Sequence, residues 1–318
     1  MKPDGTKAKV LVIGDIILDH DVYLKTVRES PEGGGIPIVQ RTGADLRLGG
    51  AGAVAVMAAA LGADAWLSGI LGDAGSEEMR DGLATALENS GVDITGIPTE
   101  CRNSTIKTRY FMDGTQTLRE DCESTSPIPT TIVQQLKDAW PLADVVLIAD
   151  YGKGVVTPLL MDFVRARFHD VPVIVDPARG ADWERYRNVS CICPNRAESS
   201  EMVIRKAIPR VLQKMDTNGI IFRDQTPEVS DAWHFPSTCP PSELVDVCGA
   251  GDMVLAALGV FVAEGRSWVE SARLANITAG LKCRQHGATP VTREVVEDAD
   301  KVEKSKKAIR EERESAVA

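Results

Sequence analysis

Residues 244–264 read LVDVCGAGDMVLAALGVFVAE, and the fold is decided in this stretch. A short polar run leads into Gly249-Ala250-Gly251, and a continuous apolar segment of helical length follows. Small residues let a backbone approach a ligand closely, and free N–H groups at a helix start hold anions. Asp252 falls in the first helical turn, with its carboxylate toward the same anion-sized space. An acid beside a phosphate site is unfavourable unless it acts on a metal or on a hydroxyl proton in phosphoryl transfer. The alternative is Asp252 as a helix N-cap.

Outward from this segment, short apolar strands alternate with helices. KVLVIG at 9–14, DVVLIAD at 144–150, PVIVD at 172–176 and SCIC at 190–193 read as buried strands. A further strand is expected at 65–71, with a turn at 72–75. Helices are expected over 49–62, over 76–90 opened by Ser76, and over 157–169. This alternation predicts an α/β fold with a mainly parallel sheet between helices. Residues 16–47, polar and broken by SPEGGG, and 103–123, a hairpin around Asp113-Gly114, do not fit it. They predict a small accessory β-sheet. After Thr292 the chain is densely charged, and Val295, Ala299, Val302 and Ile309 form a thin apolar stripe that predicts a surface helix.

The 318 residues include 36 Lys plus Arg against 46 Asp plus Glu, a formal net charge of −10. A general nucleic-acid binder needs the opposite sign. With 43% hydrophobic residues the chain has the material for a large core. No run approaches the roughly 18 apolar residues of a membrane span. The opening MKPDGTKAKVLVIGD lacks the apolar stretch of a signal peptide. Cysteines at 101, 122, 191, 193, 239, 248 and 283 are odd in number and irregularly spaced, so reduced thiols in a cytoplasmic protein are expected. None of the four histidines pairs with an obvious Ser or Cys nucleophile, and the Gly-x-x-x-x-Gly-Lys-Ser/Thr loop is absent. Neither a hydrolase triad nor a P-loop kinase is supported.

Three motifs, in order, carry a resemblance. Asp246-Val247-Cys248-Gly249-Ala250-Gly251-Asp252 resembles the D-T-G-A-G-D signature of the ribokinase-like (phosphofructokinase-B) sugar kinases. Gly49-Gly50-Ala51 resembles their sugar-side G-G motif, and Asn195-Arg196-Ala197-Glu198 their N-x-x-E motif. Within that family, Gly14-Asp15 with Leu18-Asp19, Asp150-Tyr151-Gly152-Lys153-Gly154 and Asp176-Pro177 look like the D-glycero-β-D-manno-heptose 7-phosphate kinases. The hairpin with Lys107, Arg109 and Arg119, and Glu184-Arg185-Tyr186-Arg187, also match. The similarity runs from about residue 9 to 292. With no nucleotidyltransferase domain following, a stand-alone kinase is the expected form.

The resemblance implies a ribokinase-like kinase domain over 1–292 with a small β lid from about 16–47 and 98–125, a charged tail over 293–318, and a homodimer. It implies transfer of the ATP γ-phosphoryl group to the anomeric hydroxyl of heptose 7-phosphate. Asp252 is then the base, the N–H groups of Gly249, Ala250 and Gly251 the anion hole, and Lys153 a neutraliser of phosphate charge. Asp15, Asp19, Gly49 and Gly50 are expected on the sugar, and Lys107, Arg109 and Arg119 on its remote phosphate. Asn195 and Glu198 are expected to hold Mg2+ through water. Gly219, Asn276 and Gly287 fall on the nucleotide side, and the family often uses K+.

Some positions depart from the family pattern. Ala53 stands where an Asn usually bonds a sugar hydroxyl, and Cys248 replaces the Thr of the signature. Between Glu198 and the strand near 219–222 the chain is short, and Lys214-Met215-Asp216-Thr217 replaces a Thr-Arg-Gly-like turn beside the nucleotide. Two further readings therefore stand beside the heptose kinase: a family kinase for another sugar or a nucleoside, and a sugar-binding protein with reduced catalysis.

Overall fold

Along β1 (Lys9–Gly14) both faces are apolar: Val10, Leu11, Val12 and Ile13 each expose 1% or less. A strand of this kind needs cover on both sides of its sheet. The computed structural model describes residues 1–72, 77–94, 97–98, 102–200 and 208–317. Most of the turn expected at 72–75, the opener Ser76, Cys101 and part of the shortened segment after Glu198 lie outside the described residues. After β1 come β2 (Ile16–Glu29), β3 (Pro37–Gly50), α1 (Ala51–Ala60), β4 (Asp64–Ser68), α2 (Glu77–Glu88) and β5 (Val92–Asp93). Next are β6 (Thr105–Met112), β7 (Thr115–Cys122), α3 (Thr130–Ala139), β8 (Val145–Ala149), α4 (Pro158–Arg167), β9 (Val173–Asp176) and β10 (Cys191–Ile192). The chain continues through α5 (Arg196–Ser200), β11 (Arg210–Lys214), β12 (Ile220–Asp224), β13 (Asp231–Phe235), α6 (Ala250–Ala263), α7 (Trp268–Lys282) and α8 (Arg293–Val317).

The main sheet has nine strands in the order β13-β12-β11-β10-β9-β8-β1-β4-β5. Pairings from β11 across to β5 are parallel. β12 and β13 extend one edge antiparallel, a feature the alternation did not predict. On one face Met57 of α1 and Leu255, Leu258 and Phe261 of α6 belong to one buried cluster with Val10, Val12 and Leu147. On the other, Leu136 of α3 and Leu160 and Met161 of α4 share a second cluster with Leu11, Ile13, Val146 and Ile148. Each such side chain contributes about 1.5–3 kcal/mol by leaving water.

The polar segments form their own sheet, ordered β3-β2-β6-β7. Asp113 and Gly114, at φ 49° and 84°, close the β6–β7 hairpin with the doubly positive turn that suits right-handed strand twist. β2 begins two residues after β1 ends and β3 runs directly into α1, so the small sheet hangs beside the carboxyl end of β1.

The C-terminal helix forms, and the expected stripe holds in part: Ala299 packs on the core, but Val295 and Val302 are 45% and 53% exposed and Val296, 1% exposed, turns inward instead, while the side chain of Ile309 lies outside the described residues. Arg273 of α7 sets this rotation, because its guanidinium holds Asp300 and Glu303 against α7. Among the described residues no helix is long and apolar enough to cross a membrane, and Cys122, Cys191, Cys193, Cys239, Cys248 and Cys283 are free thiols.

Candidate active site

Parallel strands point their carboxyl ends the same way, and ligands of α/β sheets bind at that edge. The edge here presents Asp15 after β1, Asp150 and Tyr151 after β8, Asp176 at the end of β9, Asn195 after β10 and Lys214 at the end of β11. The start of α6 faces it. Gly249 is the N-cap at φ 75°, a left-handed conformation that glycine adopts without strain. No side chain caps this helix, so Asp252 is not the cap; its carboxylate accepts a hydrogen bond from the Tyr151 hydroxyl.

A cavity of about 640 Å³ lies between these elements, lined by Tyr151, Asp176, Asn195, Glu198, Lys214, Gly249, Gly251 and Asp252 among others. Burial pushes the Asp252 carboxyl up to about 6; Asp176 adds to the rise, while Tyr151 opposes it. Burial, then the charge of Asp252, holds the Tyr151 phenol well above its ordinary range, so Tyr151 remains the donor. Lys214 Nζ lies 2.7 Å from both carboxylate oxygens of Asp176. Burial draws that ammonium down, but Asp176 outweighs it and keeps Lys214 charged. A Cβ on Gly251 would sit 3.3 Å from Lys214 Nζ, so the helix start and the lysine close on one small space.

The anion hole differs from expectation at one position. Ala250 N–H is already donated to the Val247 carbonyl at 3.1 Å, and Ala250 is not among the lining residues. Gly249 and Gly251 do line the cavity, and Gly251, at the second position of α6, has no intrahelical carbonyl to satisfy its N–H.

Asn195 and Glu198 interlock. Asn195 N–H and Nδ2 donate to Glu198 at 2.8 and 2.6 Å, and Glu198 N–H donates back to Asn195 Oδ1 at 2.9 Å. This capping box opens α5 and fixes the carboxylate in the cavity wall. Among the described residues no group of three or more acidic, His or Cys side chains forms a metal cage. Glu198 with Asn195 nevertheless fits Mg2+, which keeps much of its water and needs only one or two carboxylates plus phosphates.

A second cavity of about 590 Å³ adjoins the first, and Arg119 lines both. Its walls include Asp19, Asp21, Arg47 and Arg109 of the small sheet and Cys248, His286 and Gly287 of the main domain. Arg109 lies 2.8 Å from Asp19 and 3.5 Å from Asp21, and Arg47 pairs with Asp21. Asp19 Oδ1 is buried, and it is the atom that the Arg109 guanidinium approaches at 2.8 Å, so the carboxylate stands in the cavity wall with its charge met by Arg109. Gly49 stands directly behind Asp19, where a Cβ would fall 2.4 Å from its carboxylate. Gly50 ends β3 and caps α1 at φ 57°.

Several expected site residues are placed elsewhere. Asp15 is fully buried, and its carboxylate accepts the N–H groups of Tyr151, Lys153 and Val155 at 2.8, 3.0 and 3.0 Å. It shapes the 151–155 turn and does not reach either cavity. Lys153 pairs with Glu123, just after β7, at 2.5 Å and is absent from the cavity walls; Lys214, half-buried, is the lysine that faces the anion-sized space. Lys107 lines the first cavity, with its ammonium 5.8 Å from the Tyr151 ring centroid. Gly219 closes the β11–β12 turn, and Asn276 bonds the Pro236 carbonyl at 2.8 Å; neither lines a described cavity. Gly287 lines the second cavity with Asp19. Ala53 is buried in α1 at 2% exposure.

Tyr151, Asp176 and Lys214 carry no site role in the sequence reading. The acids that end 144–150 and 172–176 were the available signal, since strand-end residues converge once the sheet is parallel.

A model of the pfkB family carbohydrate kinases matches residues 7–294. The chain is 35% identical over 307 residues to the bifunctional protein HldE of Trichlorobacter lovleyi, covering 89% of this chain and 61% of that protein. It is 34% identical over 304 residues to HldE of Geobacter sulfurreducens, with the same shares of 89% and 61%. The chain thus spans about 61% of the length of these relatives. Among solved structures it resembles Arabidopsis thaliana ribokinase complexed with ribose and ATP, at a TM-score of 0.69, 19% identity, and 92% and 99% coverage of the two chains. It also resembles a Burkholderia thailandensis nucleoside kinase, at 0.72, 17% identity, and 91% and 99% coverage. These likenesses establish the fold as ribokinase-like.

Proposed function

The chain belongs to the pfkB family of carbohydrate kinases, and from that premise we propose that it phosphorylates a heptose 7-phosphate at the anomeric hydroxyl, with ATP as donor. The family is one of phosphotransferases acting on alcohol groups. The observation that carries the finer reading is the pair of adjoining cavities: one built around Asp252, Lys214 and the α6 start, the other ringed by Arg47, Arg109 and Arg119. Each of these guanidiniums is met by a carboxylate here, Arg109 by Asp19 and Asp21, Arg47 by Asp21 and Arg119 by Asp121, and a sugar phosphate is the ligand whose dianion would compete for the same planar donors.

In this mechanism the anomeric hydroxyl lies between the cavities, beside Asp252. The Asp252 carboxylate takes its proton as the sugar oxygen forms a bond to the γ-phosphorus and the bond to the β-phosphate oxygen breaks, releasing ADP. Lys214 and the N–H groups at the start of α6 stabilise charge on the transferring group. Asp19, which lines the second cavity beside Arg109, accepts a sugar hydroxyl. Glu198 and Asn195 are the residues that would hold Mg2+, which would supply further charge neutralisation on the phosphates. The small sheet closes over the sugar and excludes water, which suppresses transfer to solvent. Its exposed Val27, Ile36 and Leu118 support pairing with a second copy, which the mass in solution tests.

A second reading keeps the chemistry and changes the sugar, because Ala53 offers no amide to a hydroxyl. ADP release with heptose 7-phosphate, fructose 6-phosphate, ribose and adenosine separates the two. Preference for the heptose phosphate supports the first; turnover of ribose or adenosine alone overturns it in favour of the second.

A further inference from the structure

Lys282, in the last turn of α7, is completely buried. Its ammonium donates to the Asp246 carbonyl at 2.9 Å and lines neither cavity. Burying an ammonium is unfavourable unless its charge is used. Here the burial draws Lys282 below the ordinary lysine range, with the nearby Asp246 carboxylate opposing the shift.

Asp246 is the residue from which the turn carrying Gly249 and Asp252 departs. It is held by four bonds: its N–H donates to Cys283 O at 3.1 Å, its carboxylate accepts Cys248 N–H and Gly287 N–H at 2.8 Å each, and its carbonyl takes Lys282. Three of those partners are neutral backbone groups, and Lys282 brings the positive charge. An ammonium group and a potassium or ammonium ion are similar in charge and size, and each is satisfied by carbonyl oxygens. At the Asp246 carbonyl, Lys282 supplies the single positive charge that such an ion would carry.

We propose that Lys282 is a positioning residue, a built-in monovalent cation that fixes the 246–249 turn for phosphoryl transfer and makes the reaction independent of added potassium. The proposal rests on reading Gly249 and Asp252 as the phosphoryl-transfer site.

The test compares turnover in choline or sodium buffer with turnover in potassium or ammonium buffer. The wild-type rate is expected to change by no more than about twofold. In Lys282→Met, kcat is expected to fall by about tenfold or more with little change in KM, and to recover several-fold when potassium or ammonium is added. The melting temperature gives a reading independent of substrate: potassium raises it in Lys282→Met and leaves the wild type unmoved. If Lys282→Met does not fold, Lys282→Gln replaces it. Strong potassium activation of the wild type overturns the proposal. So does a variant with wild-type kcat, or one that melts normally and whose loss no small cation relieves. If the wild type turns over none of the sugars, the substrate reading has failed, and the melting comparison alone decides the role of Lys282.

Discussion

Tyr151, on the turn after β8, donates its hydroxyl to Asp252, in the first turn of α6. The two residues lie 101 positions apart in sequence and meet because a parallel sheet and the helix after it share one edge. The bond orients the carboxylate that faces the cavity. It also favours the ionised form, partly offsetting the rise that burial causes.

Activity that needs ionised Asp252 falls as pH drops through about 6. Tyr151→Phe removes the donor and is expected to move this acid limb of kcat/KM upward by about half to one unit. A pH–rate profile of both proteins checks it; coincident limbs mean that the hydroxyl does not tune Asp252.

The same shift has a sign for stability. The carboxyl titrates at about 6 in the folded protein against 3.8 ordinarily, so the folded state holds the proton more tightly between those values. Wild type therefore loses stability as pH rises through that window, and the loss is complete above about 6. Asp252→Asn is expected to be more stable than wild type at neutral pH by about 1–2 kcal/mol, less than the full shift implies because water reaches part of the side chain. The difference should vanish below about pH 4. Urea unfolding at several pH values measures it.

Lys214→Met leaves Asp176 buried without its cation and is expected to cost about 3 kcal/mol of stability. Adding Asp176→Asn should restore most of that stability. Neither protein should recover turnover, expected to fall about 100-fold without the charge beside the α6 start. Recovery of turnover along with stability in the double variant would show the pair to be structural only.

Arg119→Ala is expected to raise KM for heptose 7-phosphate by about tenfold, with KM for the same heptose lacking the phosphate nearly unchanged. Steady-state kinetics on the two sugars give the ratio, and equal changes in both contradict a phosphate contact.

Much of this was legible in the sequence. Apolar runs ending in acids announced the parallel sheet, Asp113-Gly114 announced the hairpin, and Gly-Ala-Gly-Asp announced the α6 start. The residues misplaced were those whose role depends on side-chain direction. Asp15 and Asp19 lie four positions apart, yet Asp15 is consumed by three backbone N–H groups and Asp19 faces a cavity. Lys153 follows the end of β8 and Lys214 ends β11, but Glu123, just after β7, takes the first and Asp176 holds the second in the cavity. Such pairings join distant segments and leave no local pattern. Part of the stripe of α8 was misjudged for the same reason: Arg273, on another helix, sets which face turns inward.

The most direct measurement is single-turnover phosphoryl transfer by wild type and Asp252→Asn, with saturating ATP, Mg2+ and heptose 7-phosphate and with ATP binding measured in parallel. A loss of about 1,000-fold or more with ATP affinity intact is the result predicted for a base that removes the hydroxyl proton. Transfer within tenfold of wild type would contradict the account.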